Sequence, residues 1–113
     1  MKQVYKITYP TGKIYVGKDS VGNARYTGSP DPDAINADFA KLPEGLRRDY
    51  TIRKQILWES DTASEAELSA KEVEMIRKHR SNDPNVGYNR WPKFIREASE
   101  RDASQQADKA DVE

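Results

Sequence analysis

The stretch VYKITYPTGKIYVGK, Val4 to Lys18, constrains the fold of this chain more than any other, because it is two short strands around a turn. Residues 3–9 and 13–17 alternate and are rich in β-branched and aromatic side chains, the pattern of half-buried strands. Pro10-Thr11-Gly12 suits a three-residue loop, with Pro pre-set for the first turn position and Gly for the left-handed one. That loop pairs Tyr9 with Lys13, Ile7 with Tyr15 and Tyr5 with Gly17. The pleat then puts Tyr5 and Tyr15 on one face as diagonal neighbours, with a side-chain-free gap opposite Tyr5. A two-residue loop would slip the register by one and send the tyrosines to opposite faces. Two hydroxyls and a small space can therefore converge; ordinary aromatic packing between strands is the plainer reading of the same pattern.

The rest of the chain adds a loop over residues 18–31, then a helix from Asp31-Pro32 to about Lys41, with Asp as N-cap and Pro at the first helical position. A third strand is expected within Tyr50–Glu59. The best helix begins near Thr62 or Ser64, where Thr62-Ala63-Ser64-Glu65 has the form of a capping box, and runs to about Arg80. The order β-β-α-β-α implies an α+β fold, a small three-stranded antiparallel sheet flanked by helices. Residues 1–94 are expected to form one domain, and 95–113 an acidic, polar tail that is partly helical or disordered.

Hydrophobic residues make up 35% and charged ones 34% of the 113, so the core is lean and the helices should be two-faced. No cysteine is present, which excludes disulfides and thiolate zinc sites. There is no apolar run long enough to span a bilayer and no N-terminal signal pattern, so a cytoplasmic location is expected. Net charge is zero but unevenly spread. From Glu97 onward there are six acidic and two basic residues, a charge of 2 − 6 = −4 that leaves +4 on residues 1–96. A mildly basic body is compatible with an anionic partner, although charge alone is equally well explained by solubility.

One residue breaks the pattern of the second helix. At about 100° per residue, with Leu68 at zero, Met75 falls near −20° and Ile76 near 80°. Glu72 falls near 40°, inside that apolar stripe, whereas Glu67 and Glu74 point away from it. A carboxylate there needs a cation, a donor or a metal; an internal salt bridge would also satisfy it. His79 is the only histidine, which removes multi-histidine metal sites, and it has no context suggesting a catalytic triad. What remains for chemistry is one carboxylate holding a hard divalent cation, tyrosines, and an arginine or lysine to clamp phosphate.

These residues together resemble the GIY-YIG nuclease superfamily. Gln3-Val4-Tyr5 stands in the place of the first motif and Tyr15-Val16-Gly17 matches the second, with a ten-residue interval between the tyrosines. Arg25, eight residues after Gly17, falls where the family's catalytic arginine is expected. Glu72 matches the metal-binding glutamate, and Gly87-Tyr88-Asn89 the closing motif whose Asn supports the site. Tyr15-Val16-Gly17-Lys18 is similar to the nuclease domain of excision-repair incision subunits, where a lysine follows the glycine; the family also includes homing endonucleases. The likeness covers roughly residues 3–90. It departs from the pattern at Gln3, which replaces the usual first glycine, and at Arg25, which precedes the predicted helix. The family's His or Tyr a few residues after that arginine has only Tyr26, one along, and Ser29, four along, to fill it. Asp31 and Asp33 would oppose phosphate binding at the next helix start.

The resemblance implies hydrolysis of DNA phosphodiesters with one Mg²⁺ or Mn²⁺ held by Glu72. Tyr5 is favoured as the base that activates water and Tyr15 as its orienting partner, the opposite assignment being open. Lys18 and Arg25 would supply the positive field a tyrosine base needs, Arg25 would neutralise the phosphate, and Asn89 would brace the site. DNA contact is expected from Lys13, Arg47, Arg48, Arg53, Lys54, Arg90 and Lys93, each also explicable as a surface charge. Trp58 and Trp91 are expected in the core or as a lid rather than as stacking platforms. The alternatives are an inactive module of the same fold that binds nucleic acid or protein, and a structural or regulatory protein with Glu72 in a salt bridge. No recognition domain is visible in the sequence, which leaves three expectations: weak specificity alone, action on a DNA structure such as a nick or branch, or dependence on a protein partner.

Overall fold

The structure, a computed structural model, describes residues 1–95. The expected tail lies outside the described residues, apart from Ile95. Strand β1 (Lys2–Thr8) is central, flanked by β2 (Ile14–Asp19) and β3 (Arg53–Ser60) in the order β2-β1-β3, both pairings antiparallel. Helix α1 spans Pro32–Ala40 and α2 spans Glu65–His79. This is the expected α+β arrangement, with strand ends displaced by one or two residues.

The hairpin register is the one the three-residue loop requires. Tyr5 faces Gly17 and Ile7 faces Tyr15, and the Tyr9 N–H donates to the Lys13 carbonyl at 3.0 Å. Gly12 has φ +89°, a conformation that an L side chain resists. Because β1 is central, both of its faces are covered. Tyr5, Ile7 and Tyr9 pack with Ile35 of α1 and Tyr88, whereas Val4 packs with Val16 and with Leu68 and Ile76 of α2. Burying each of these aliphatic side chains stabilises the fold by about 1.5–3 kcal/mol.

Three local features differ from the sequence reading. The capping box of α2 is Ser64 with Glu67: the Ser64 hydroxyl accepts from the Glu67 N–H at 3.1 Å, and the Glu67 carboxylate accepts from the Ser64 N–H at 2.9 Å. Thr62 also has a glutamate three residues on, but it is taken into the turn after β3, its N–H donating to the Ser60 hydroxyl at 3.1 Å. A 3₁₀ turn at Glu44–Arg48, unanticipated from sequence, follows Pro43 and is closed by the Leu46 N–H on the Pro43 carbonyl at 2.9 Å. Finally, β1 and β3 carry a bulge between Val4 and Tyr5, so that Val4 faces Trp58 while Tyr5 faces Ile56.

Candidate functional site

Four segments meet around a cleft of about 220 Å³: Tyr15 of β2, Glu72 and Ile76 of α2, Ser29–Asp31 before α1, and Tyr88–Trp91 after α2. The last of these is attached to the outer edge of β2. Ile14 and Gly87 form a parallel bridge, the Ile14 N–H donating to the Val86 carbonyl at 3.1 Å and the Tyr88 N–H to the Ile14 carbonyl at 2.8 Å. Asn89 continues that edge with its side chain. Its Oδ1 accepts from the Val16 N–H and its Nδ2 donates to the Val16 carbonyl, both at 2.8 Å. Asn89 therefore braces β2.

The two tyrosines converge as the register requires. A Cβ on Gly17 would lie 2.6 Å from Tyr5 Cζ and 3.1 Å from a Tyr15 ring carbon. A second glycine, missed in the sequence, closes the other side. Gly28 has φ +77°, and a Cβ there would lie 2.6 Å from the Tyr15 ring and 2.5 Å from the Tyr5 hydroxyl. Its only local signal is the Gly-Ser-Pro turn at residues 28–30. Tyr5 is fully buried, and its hydroxyl reaches no hydrogen-bond partner among the described residues. Burial, reinforced by the neighbouring Tyr15, Tyr26, Asp19 and Glu72, pushes its ionisation far above the ordinary tyrosine range. Tyr15 faces the cleft. Its pKa is raised by burial, and the Ser29 backbone, bonded to its hydroxyl, opposes that shift.

Glu72 is half-buried, and no hydrogen bond or ion pair joins it to any described residue. Desolvation raises its pKa above the ordinary carboxylate value, and the charge of Lys18 partly counters this. Lys18 itself donates to the Ser69 hydroxyl at 2.6 Å, one turn before Glu72 on α2. Asp31 lies on the same cleft but is engaged. One carboxylate oxygen caps α1 through the Asp33 N–H at 3.0 Å, and the other pairs with Arg90 at 3.3 Å.

The loop between β2 and α1 is held by residues the sequence did not mark for this role. The Asp19 carboxylate accepts from the Val21 N–H at 2.9 Å and the Asn23 N–H at 2.7 Å. Lys54 reaches across from β3 to the carbonyls of Asn23, at 3.0 Å, and Tyr26, at 2.7 Å. Its ammonium also sits 4.6 Å from the centre of the Tyr5 ring. Lys54, expected on DNA, clamps this loop. Arg25 sits on this loop, exposed, outside the cleft lining, its guanidinium paired with none of the described residues.

The remaining expected DNA contacts are dispersed. Lys13 is committed to Asp38 at 2.9 Å, whose carboxylate also accepts from the Tyr88 hydroxyl at 2.9 Å. These bonds, Lys13 first, hold Asp38 below its ordinary pKa. Arg48 pairs loosely with Glu44 at 3.8 Å, while Arg47 and Arg53 are exposed without partners among the described residues. Arg90 and Lys93 line a larger groove of about 580 Å³ that shares Asp31, Tyr88, Asn89 and Arg90 with the cleft. Trp58 is half-buried, as expected. Trp91 is not in the core: it lines the cleft and is 72% exposed. Among the described residues no group of three or more His, Cys, Asp or Glu side chains gathers to hold a metal, and no helix is long and apolar enough to cross a membrane.

Comparison of the chain with protein-family models, with curated proteins and with solved structures finds no match.

Proposed function

We propose that this protein is a divalent-metal-dependent DNA endonuclease of the GIY-YIG type, hydrolysing phosphodiester bonds in the cleft between Tyr15 and Glu72. The observation that carries this reading is Glu72, a desolvated carboxylate facing a cleft with no protein partner among the described residues. Such a group is costly unless a cation completes it. One carboxylate beside open space suits Mg²⁺ or Mn²⁺, which keep several waters and take substrate phosphate oxygens as further ligands. When bound, the ion supplies positive charge to the scissile phosphate and the leaving oxygen.

The chain's own residues do the rest. Glu72 would hold the ion, and the charge of Lys18 opposes the rise that desolvation imposes on its pKa. Tyr15 presents its hydroxyl to the cleft and orients the attacking water. Tyr5 is the proposed base and would take the water's proton only as its phenolate: its hydroxyl lies between Gly17 and Gly28, behind Tyr15 and outside the cleft lining, with no structural bond to give up. The Lys54 ammonium sits 4.6 Å from the centre of its ring, while burial disfavours the phenolate. Asn89 fixes β2, and with it the position of Tyr15.

The deciding experiment is nicking of supercoiled plasmid with Mg²⁺ or Mn²⁺, against EDTA and against Glu72→Ala of matched folding. Metal-dependent relaxation that the variant loses is expected. No cleavage by either protein would refute the nuclease. A second reading, a DNA-binding module without catalysis, is favoured by one observation: Arg25, the expected phosphate-neutralising residue, stands outside the cleft. It predicts salt-dependent DNA binding with no metal-dependent cleavage.

A further inference from the structure

Trp91 is anomalous. A tryptophan 72% exposed leaves most of a large apolar ring in water, yet its backbone is among the better anchored parts of the surface. Two residues before it, Asn89 is bound to Val16 on both sides of its amide. The residue after it, Pro92, is buried, and its carbonyl accepts from the buried Asn82 Nδ2 at 2.7 Å. The indole is therefore presented on a fixed support, at the rim of the cleft that holds Tyr15 and Glu72. Beside it, the Arg90 side chain is 76% exposed and spans 3.3 Å to Asp31, a partner that an incoming phosphate can replace. Beyond Arg90 the cleft opens into the larger groove, where Lys93 adds a second exposed cation.

We infer that Trp91 and Arg90 form a nucleotide grip in which the indole stacks on an unpaired base and the guanidinium exchanges Asp31 for the adjacent phosphate. The occupant is a single-stranded or locally unpaired segment of nucleic acid. A base stacked inside a duplex offers no free face to an indole, whereas an unpaired base does. The pairing of aromatic and cation at neighbouring positions is what recognises base and phosphate together. The inference deepens the nuclease reading, on which it rests for placing the grip next to the scissile bond. It makes the preferred substrate DNA with an unpaired nucleotide beside the cut.

The test is binding of a fluorescein-labelled 16-mer of thymidylate, followed by anisotropy in EDTA with the full chain, alongside a 16-base-pair duplex at the same salt. The single strand is expected to bind more tightly than the duplex and to quench tryptophan emission. Trp91→Ala should weaken single-strand binding about 5- to 150-fold, the range that corresponds to stacking of one base, while Trp91→Phe stays within a few-fold of the parent. Arg90→Ala should lower the slope of log affinity against log salt by about one phosphate contact. Equal binding of strand and duplex, or Trp91→Ala binding as the parent does, would overturn the grip. Cleavage of plasmid with unchanged KM in Trp91→Ala would also overturn it, and would leave the nuclease standing. Quenching and strand preference without any metal-dependent cleavage would sustain the grip and remove the nuclease.

Discussion

Asn89 is the residue on which the geometry of the cleft most directly depends, and replacing it gives a prediction whose size follows from the structure. Its amide closes two hydrogen bonds of 2.8 Å on the backbone of Val16, one as acceptor and one as donor. Each net bond of this kind contributes about 0.5–1.5 kcal/mol, and truncation to Ala also strands a partly buried N–H and C=O. Asn89→Ala should therefore destabilise the protein by about 2–3 kcal/mol, which in a domain of this size lowers Tm by roughly 10–20 °C. Asn89→Asp keeps the acceptor for the Val16 N–H but loses the donor, so it should cost about half as much. Urea denaturation monitored by far-UV circular dichroism measures both values, and amide exchange locates the loss. Exchange should accelerate at Val16 and Tyr88 before it does in α2. If Asn89→Ala lies within about 0.5 kcal/mol of the parent, then the Asn89–Val16 pair does not brace β2 and the account of the cleft fails.

Two further substitutions separate function from stability. Glu72→Gln removes a carboxylate whose folded pKa is raised, first by desolvation, above its ordinary 4.5. Below that value both folded and unfolded forms are protonated and the parent carries no penalty; as pH rises through the folded pKa the penalty appears in full. The variant should melt higher than the parent at neutral pH, with the gap closing below about pH 4, and added Mg²⁺ should stabilise the parent only. A parent that melts higher at neutral pH without metal would contradict the unpartnered state of Glu72. Tyr5→Phe removes a buried hydroxyl without a partner, which ordinarily costs about 1–3 kcal/mol to carry, so stability should hold or rise while metal-dependent turnover collapses. Full turnover in that variant would take Tyr5 out of the mechanism and leave Tyr15 as the base.

Much of this site was legible because it is built from short-range rules. Gly12 at the third loop position fixes the hairpin register, and the register alone puts Tyr5 beside Gly17 and on one face with Tyr15. Helical periodicity alone marks Glu72. The capping box was displaced by two residues because Thr62 and Ser64 each have a glutamate three positions on, and only the turn after β3 decides between them. What stayed hidden depends on chain segments far apart in sequence. Nothing local to Lys54 says that its ammonium will cap carbonyls some 30 residues earlier, and nothing local to Lys13 announces Asp38. Gly28 reads as an ordinary turn glycine until the loop folds against both tyrosine rings. Of the two places expected for Trp91, core or lid, the core is excluded: burial is a tryptophan's default, but here Asn89 and Pro92 on either side are the anchored residues and the indole stands at the cleft rim.

The costs in this fold are not spread at random. Tyr5 carries a hydroxyl with no bond to make, Glu72 carries a carboxylate with no partner among the described residues, and Glu72 adds to the burial that opposes Tyr5 ionisation. Gly17 and Gly28 leave the space in which those groups meet, and Gly28 does so from a backbone conformation that other residues resist. A sequence selected for stability alone would place Phe at position 5 and a neutral side chain at 72, with no loss of packing that the structure reveals. Elsewhere the same chain is careful with polar groups: Asp19, Asp38 and Lys54 each reach two or more partners. Among the described residues the buried side-chain atoms without a partner are the Tyr5 and Ser81 hydroxyls, and of the costly groups Glu72 alone faces the cleft. A divalent cation held by Glu72, as proposed, would offset the desolvation of that carboxylate.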